Sequence, residues 1–202
     1  MPENPRQSKL IIFRILTEGD KHIMECMTSE KAGGNLHEKY EFRSIRREEA
    51  PQAAEIERIC FPPNEACSEK MMTERVEKAP EYFLVAVDKE TGKIAGFLNG
   101  LATKETSFRD EFFTDADLHD PSGRTIMLLG LDVLPEYRRQ GLARELMRRY
   151  LFRQKENGKN LVLLTCLPEK VQMYQKMGFR DEGMANSSWG GEAWHEMSCA
   201  PV

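Results

Sequence analysis

Residues 125–143 read TIMLLGLDVLPEYRRQGLA, and this stretch decides the fold more than any other part of the chain. The run Thr125 to Val133 is almost wholly apolar, which fits a central strand that is buried on both faces. The segment that follows has small residues at Gly141 and Ala143, which let the backbone turn tightly into a helix. The stretch therefore predicts a buried strand, a tight loop and a helix in direct succession.

The regions on either side predict an α/β or α+β domain with a mixed sheet, in the order βααβββαβαββ from Tyr40 onward. Strands are predicted at 40–45, 82–87, 93–101, 125–133, 161–165, 179–188 and 193–199, and helices at 47–60, 68–78, 142–157 and 169–177. Ser68 is the predicted N-cap of the second helix, whose polar face is expected to include Glu74 and Arg75. The acid-rich stretch 104–124 is predicted to be a long loop that covers a site.

Residues 1–39 are predicted to be an N-terminal extension of the domain at 40–202. The extension ends in a loop-like sequence, Ala32-Gly33-Gly34-Asn35, which predicts a hinge. Its patch from Leu10 to Leu16 is too apolar to be left in water. We expect this patch to pack on its own domain or on a second subunit of a homodimer, and a flexible tail is the alternative.

Length, charge and hydropathy exclude several classes of protein. A chain of 202 residues favours one domain, on a prior of about 150 residues per domain. The formal net charge of −4 gives no overall attraction to nucleic acid or to an acidic membrane. The longest mostly apolar stretch falls well short of the roughly 20 residues that a bilayer span needs, and no secretory cleavage site is recognisable. We therefore expect a cytoplasmic protein with no nucleic-acid or membrane partner.

The cysteines and histidines indicate neither a disulfide scaffold nor a metal site. The 5 cysteines include no CxxC pair, and the 4 histidines show neither HxxxH nor HExxH spacing. His195 is expected to be a structural histidine, and Cys166 a packing residue at the end of a buried strand. We therefore predict no metal cofactor.

The loop after the central strand is a candidate anion site. A helix N-terminus carries about half a positive charge and unsatisfied N–H groups, and Arg138, Arg139 and Arg144 lie beside this one. A pyrophosphate would fit these groups. The loop matches neither GxxxxGK[ST] nor GxGxxG, so the sequence indicates a phosphate-bearing cofactor other than those of P-loop and Rossmann proteins.

Two motifs resemble those of the GNAT acetyltransferases. Arg138-x-x-Gly141-x-Ala143 matches their R/Q-x-x-G-x-G/A signature, and residues 174–179, YQKMGF, resemble their downstream Tyr-x-x-x-Gly-Phe. The resemblance covers about Tyr40 to Cys199. It implies a mixed, mostly antiparallel twisted sheet flanked by helices, with a V-shaped split between the strands at 128–133 and 161–165.

Residues 55–66 resemble the first helix and following loop of the arylalkylamine (serotonin-type) N-acetyltransferases within that superfamily. This resemblance implies an acetyl-CoA cosubstrate and transfer of its acetyl group to the primary amine of a small molecule, by direct attack on the thioester. Alternatives are acetylation of a protein or peptide amine, and a non-catalytic acyl-CoA-binding sensor.

The resemblance also implies which residues form the site. Those expected to bind the amine substrate are Glu57, Phe61 and Pro62. Those expected to bind acetyl-CoA are Leu131, Asp132, Val133, Arg138, Arg139, Gln140, Gly141, Leu142, Ala143 and Arg144.

Two residues are predicted to be catalytic. Tyr174 lies where the family's phenol commonly acts as general acid, although it could also be a packing aromatic. The histidines that serve the vertebrate arylalkylamine enzymes as a proton wire fall by register at Met127 and Leu129, which cannot accept a proton. Asp132 is the only ionisable residue in the strand core and is therefore a candidate for a catalytic or proton-relay role, with an edge-facing or capping carboxylate as the alternative. Other carboxylates that could contact the amine are Glu55, Glu57 and Glu65, each of which could instead be a solvated charge.

Overall fold

The computed structural model of the protein describes residues 36–202. The predictions for the apolar patch at 10–16 and for the hinge at 32–35 lie outside these residues, as does Cys26. The last residues of the predicted extension form a helical turn, α1 (Leu36–Lys39), that leads directly into the first strand. Leu36 packs against the core of the domain.

The secondary structure follows the predicted order. The strands are β1 Tyr40–Ser44, β2 Phe83–Asp88, β3 Ile94–Thr103, β4 Thr125–Val133, β5 Leu161–Cys166, β6 Arg180–Met184 and β7 His195–Cys199. The helices after α1 are α2 Ala50–Cys60, α3 Glu69–Lys78, α4 Glu111–Thr114, α5 Leu142–Glu156 and α6 Val171–Gln175. None of the helices in residues 36–202 is long and apolar enough to cross a membrane.

The strands form one sheet in the order β1-β2-β3-β4-β5-β7-β6, antiparallel except for the central pair β4 and β5. The parallel pairing joins only Thr125–Met127 to Leu161–Leu163. Beyond Met127 the two strands separate, and this is the predicted V-shaped split. The predicted fold class is confirmed.

Helices cover both faces of the sheet, as the alternation of buried residues along β2 shows. Leu84 and Ala86 belong to the core under α5, whereas Phe83 and Val85 belong to a second core under α2 and α3. Every residue of β2, β3 and β4 except Leu131 is buried, which explains why the stretch Thr125 to Val133 is almost wholly apolar.

The helix start predicted at Ser68 is confirmed, whereas several other predicted boundaries are shifted. Ser68 caps α3 as predicted, because its hydroxyl accepts a hydrogen bond from the Met71 N–H at 3.2 Å. The helix predicted at 169–177 is a 3₁₀ turn followed by the short α6. The strand predicted at 179–188 ends at Met184, next to Gly183, which has a φ of +95° at a register irregularity. The predicted loop at 104–124 contains α4.

Candidate active site

The split between β4 and β5 opens into a cavity of about 540 Å³. Its wall is built by residues of α2, α3, α4, α5, α6, β4 and β5, and of the loops that follow α2, β4, β5 and β6. The residues predicted to bind or transform substrate that line it are Glu57, Phe61, Pro62, Leu131, Val133, Arg138, Ala143 and Tyr174. Asp132 is not on the wall, because it lies behind Gly130 on the α2 side of the strand.

The β4 edge that faces the split is free of strand pairing. Leu128 to Val133 have no partner on β5. On the other edge, Asn99 pairs with Gly130 and Gly100 with Leu128, so Leu129 is an extra residue that bulges out of the β3–β4 ladder. Unpaired strand groups of this kind can pair with an extended ligand.

The loop before α5 is shaped to present backbone N–H groups. Gly141 has a φ of +86°, and Arg139 is the non-glycine residue with positive φ, at +60°, in the described part of the chain. Such strain at a loop tip is characteristic of ligand-binding segments. The Arg138 side chain is fixed by a 2.8 Å hydrogen bond from its Nε to the Val133 carbonyl, and the Gln140 side chain accepts one from Lys39 Nζ at 3.0 Å. These contacts hold the predicted anion site in place beside the cavity.

Tyr174 combines packing with access to the cavity. Its ring makes an edge contact with Phe179, with the ring centroids 5.8 Å apart, and its carbonyl accepts the Phe179 N–H at 3.1 Å. These contacts join the tyrosine and the phenylalanine of the motif. Burial, with nearby Cys166 and Asp132, raises the pKa of Tyr174 far above its usual value. The phenol is therefore held in its protonated form, as a proton donor requires.

A buried polar cluster lies between β4 and the two helices α2 and α3. Asp132 is 0% exposed, Asn99 1%, and Glu57 and Arg75 4% each. Arg75 Nη2 donates to the Phe113 carbonyl at 2.8 Å, and Glu57 Oε1 accepts the Cys67 N–H at 3.2 Å. Both Asp132 carboxylate oxygens, Glu57 Oε2 and Asn99 Nδ2 have no hydrogen-bond partner among the described residues.

The electrostatics of this cluster favour the protonated forms of one aspartate and two cysteines. Burial, followed by the negative charge of Glu57, raises the pKa of Asp132 well above its usual range. Burial also raises the pKa of the Cys60 thiol to about 11 and that of the Cys67 thiol to about 12. Neither thiol is therefore a nucleophile at neutral pH.

The other end of the cavity is aromatic. Phe113 stacks on Trp189 with ring centroids 5.0 Å apart, and Trp194 Nε1 donates to the Trp189 carbonyl at 2.8 Å. Trp189 Nε1 donates to the Glu65 carbonyl at 3.0 Å, so the loop between β6 and β7 is tied to the loop after α2. Together with Phe61, these rings make an apolar end whose entrance carries Glu65.

Several residues of the site were not predicted from the sequence, among them Arg75, Asn99 and Trp189. The interpretation of Arg75 as part of a polar face is wrong, because it points into the core together with Met72 and Val76. Their spacing of three and four residues is the signal that could have found it. Asn99 could have been found as a polar residue within the buried run of β3, as Asp132 was in β4. Trp189 carries no such signal.

The remaining candidates lie outside the cavity or, for Cys166, on its wall. Glu55 is exposed on α2 and pairs with Arg58. His195 pairs with Asp181 at 2.9 Å, which agrees with a structural role. Cys166 is buried on the cavity wall with its pKa raised to about 11 by burial. Within residues 36–202 no group of three or more potential ligands could hold a metal ion.

Known proteins support the fold that this geometry defines. The model of the Acetyltransferase (GNAT) family matches residues 44–179. Among solved structures, the GphF GNAT-like decarboxylase in complex with isobutyryl-CoA is 20% identical, with a TM-score of 0.68, and the match covers 80% of this chain and 100% of that one.

Two N-acetyltransferases are also similar in structure. The ribosomal-protein-S18-alanine N-acetyltransferase from Escherichia coli is 20% identical, with a TM-score of 0.57, and 81% of this chain and 94% of that one are covered. A spermidine N-acetyltransferase SpeG chimera from Vibrio cholerae and hSSAT is 16% identical, with a TM-score of 0.59, and 81% and 96% are covered. At these identities the matches show the fold alone.

Proposed function

Because the chain belongs to the GNAT acetyltransferase family, we propose that it transfers an acetyl group from acetyl-CoA to the primary amine of a small molecule. The observation that carries this proposal is the cavity, which runs from the anion loop and the unpaired edge of β4 to an end with aromatic walls and a buried carboxylate. One end suits a phosphate-bearing thioester, and the other suits an amine.

The cosubstrate would lie along the split. Backbone N–H groups at residues 139–144, which donate to no described backbone carbonyl, would hold the pyrophosphate beside Arg138 and Arg139. The pantetheine would pair with the free edge of β4 near Leu131 and Val133. The thioester would then lie between β4 and Tyr174.

The reaction needs a proton removed and a proton supplied. An alkylamine with a pKa near 10.4 is only about one part in two thousand neutral at pH 7, which adds roughly 4 to 5 kcal/mol to the barrier. The buried carboxylates Glu57 and Asp132 would accept the proton that the ammonium loses. The free amine attacks the thioester carbonyl, a C–N bond forms, the C–S bond breaks, and Tyr174 would protonate the departing thiolate.

The aromatic end supports a small amine with an apolar or aromatic group. Phe61, Phe113, Trp189 and Trp194 offer ring faces, while Glu57 offers the negative charge that an ammonium group needs. The ties between Trp189 and the loop after α2 narrow the space for a protein chain. This arrangement favours an arylalkylamine over a protein N-terminus or lysine.

The test is turnover with a panel of amines. The protein is incubated with acetyl-CoA and, separately, with arylalkylamines, polyamines and N-terminal or lysine peptides, while free CoA thiol is followed. We expect thiol release that depends on an arylalkylamine and reaches saturation. If only peptides support the release of CoA thiol, the substrate is a protein or peptide amine. If the protein binds CoA but releases no thiol with any amine, it is a sensor.

A further inference from the structure

The polar cluster behind the cavity converges on one point of β4. A Cβ atom on Gly130 would lie 3.0 Å from Asn99 Nδ2, 3.0 Å from Asp132 Oδ2 and 3.5 Å from Glu57 Oε2. These are the atoms of the three side chains that lack partners among the described residues, together with the second Asp132 oxygen. The absence of a side chain at Gly130 therefore lets two carboxylates and an amide approach each other.

Two carboxyl groups that are buried this deeply around one point cannot both be charged without a large penalty. Arg75 and Arg138 offset part of that penalty, and Cys60, Cys67 and Tyr174 are the other titratable groups that interact with Asp132. Neither arginine forms an ion pair with Asp132 or Glu57, because Arg75 donates to Phe113 and Arg138 to Val133. Without a direct ion pair, the two buried carboxyl groups are stabilised when they share a single proton, which leaves one negative charge between them.

We propose that Glu57 and Asp132 act as one coupled pair that holds a single proton, and that this pair, positioned by Asn99 and Gly130, is the proton acceptor for the amine. Glu57 lies on the cavity wall and meets the ammonium group, whereas Asp132 lies behind it and does not touch the substrate. Glu57 is thus the catalytic member, and Asp132 and Asn99 are positioning residues. The inference rests on the proposed function for its last step.

The proton balance follows from this arrangement. The ammonium N–H bond breaks and an O–H bond forms on Glu57, so the pair becomes neutral and the amine becomes nucleophilic. The nitrogen loses its second proton as the amide forms, and this proton replaces the one that Tyr174 gives to the CoA thiolate. One proton per turnover leaves to solvent, which returns the pair to its single negative charge.

The first test uses the free protein and needs no activity. Aspartate carboxyl carbons are labelled with ¹³C, and the Asp132 resonance is assigned by its loss in Asp132→Asn. We expect Asp132 to titrate well above an ordinary aspartate, and to titrate lower in Glu57→Gln because a neighbouring negative charge is gone. Glu55→Gln, an exposed change on the same helix, should leave the titration unchanged. An ordinary midpoint for Asp132, or one that Glu57→Gln does not move, would overturn the pair.

The second test measures turnover of the amine identified in the panel. We expect kcat to fall roughly 100-fold or more in Glu57→Gln, as for loss of a general base, with CoA affinity retained. In Asn99→Leu and Gly130→Ala we expect the acidic limb of the pH profile of kcat to shift. The pH profile of Glu55→Gln should match that of the wild-type protein. If the acidic limb is unchanged in both variants, Asn99 and Gly130 do not position the pair of carboxyl groups. If no amine is turned over, the proposed function fails, whereas the Asp132 titration still decides whether the pair exists.

Discussion

The hydroxyl of Tyr174 is held protonated by burial, and its ring lies on the cavity wall beside Cys166. If this phenol protonates the thiolate of CoA, Tyr174→Phe should lower kcat by roughly 100-fold or more while CoA affinity stays the same. Because the pKa of Tyr174 is raised, wild-type kcat should show no loss from this group as pH rises toward the usual range of tyrosine.

The matched control for that change is Tyr150→Phe. Tyr150 is also fully buried with a raised pKa, but its hydroxyl donates to the Tyr82 carbonyl at 3.3 Å and does not face the cavity. Steady-state kinetics and calorimetric titration with CoA compare the two variants. A kcat for Tyr174→Phe equal to that of Tyr150→Phe would reduce Tyr174 to a packing residue.

Single residues show where sequence reasoning succeeds and where it stops. Asp132 could be selected from the sequence because a carboxylate within an apolar strand needs a special environment. Glu57 was expected at the site only through the resemblance, and Arg75 was assigned to a polar face, because both lie on helices that also carry solvated charges of the same types. Burial separates them from their neighbours, and burial depends on how α2 and α3 pack on the sheet.

At the scale of elements, local rules placed the helices and strands well. The cap at Ser68 and the buried run of β4 follow from local sequence, and both are confirmed. The bulge at Leu129 and the early end of β6 were not predicted, because they depend on the register in which successive strands pair. The split itself was expected only through the resemblance to the family.

The loop before α5 is the element whose change should abolish cosubstrate binding. Arg139→Glu with Gly141→Asp places negative charge against the expected pyrophosphate, and the φ of +86° at Gly141 disfavours any side chain there. Loss of charge-assisted hydrogen bonds of about 1.5 to 3 kcal/mol each predicts a CoA affinity at least roughly 100-fold weaker.

The opposite end of the same helix provides the control for this loop. Lys155→Glu with Gly158→Asp makes the same change in charge, at a glycine with a φ of +70° and open space around it. Calorimetric titration should give wild-type CoA affinity for this variant. Wild-type affinity in the Arg139→Glu/Gly141→Asp protein would place the pyrophosphate elsewhere.

For the whole molecule, the sequence from Met1 to Asn35 raises a question of assembly. Its run Leu10-Ile11-Ile12-Phe13, with Ile15 and Leu16, would cost about 25 cal/mol for each Å² of apolar surface left in water. We propose that this run packs on the domain or on a second subunit, and exchange of such an arm gives a symmetric dimer at low cost.

Deletion of residues 1–35 should then lower the melting temperature or convert a dimer to a monomer in size-exclusion chromatography with light scattering. Deletion of residues 1–9 keeps the apolar run and should change neither quantity. If the longer deletion also leaves melting temperature and mass unchanged, the run contributes to neither stability nor assembly.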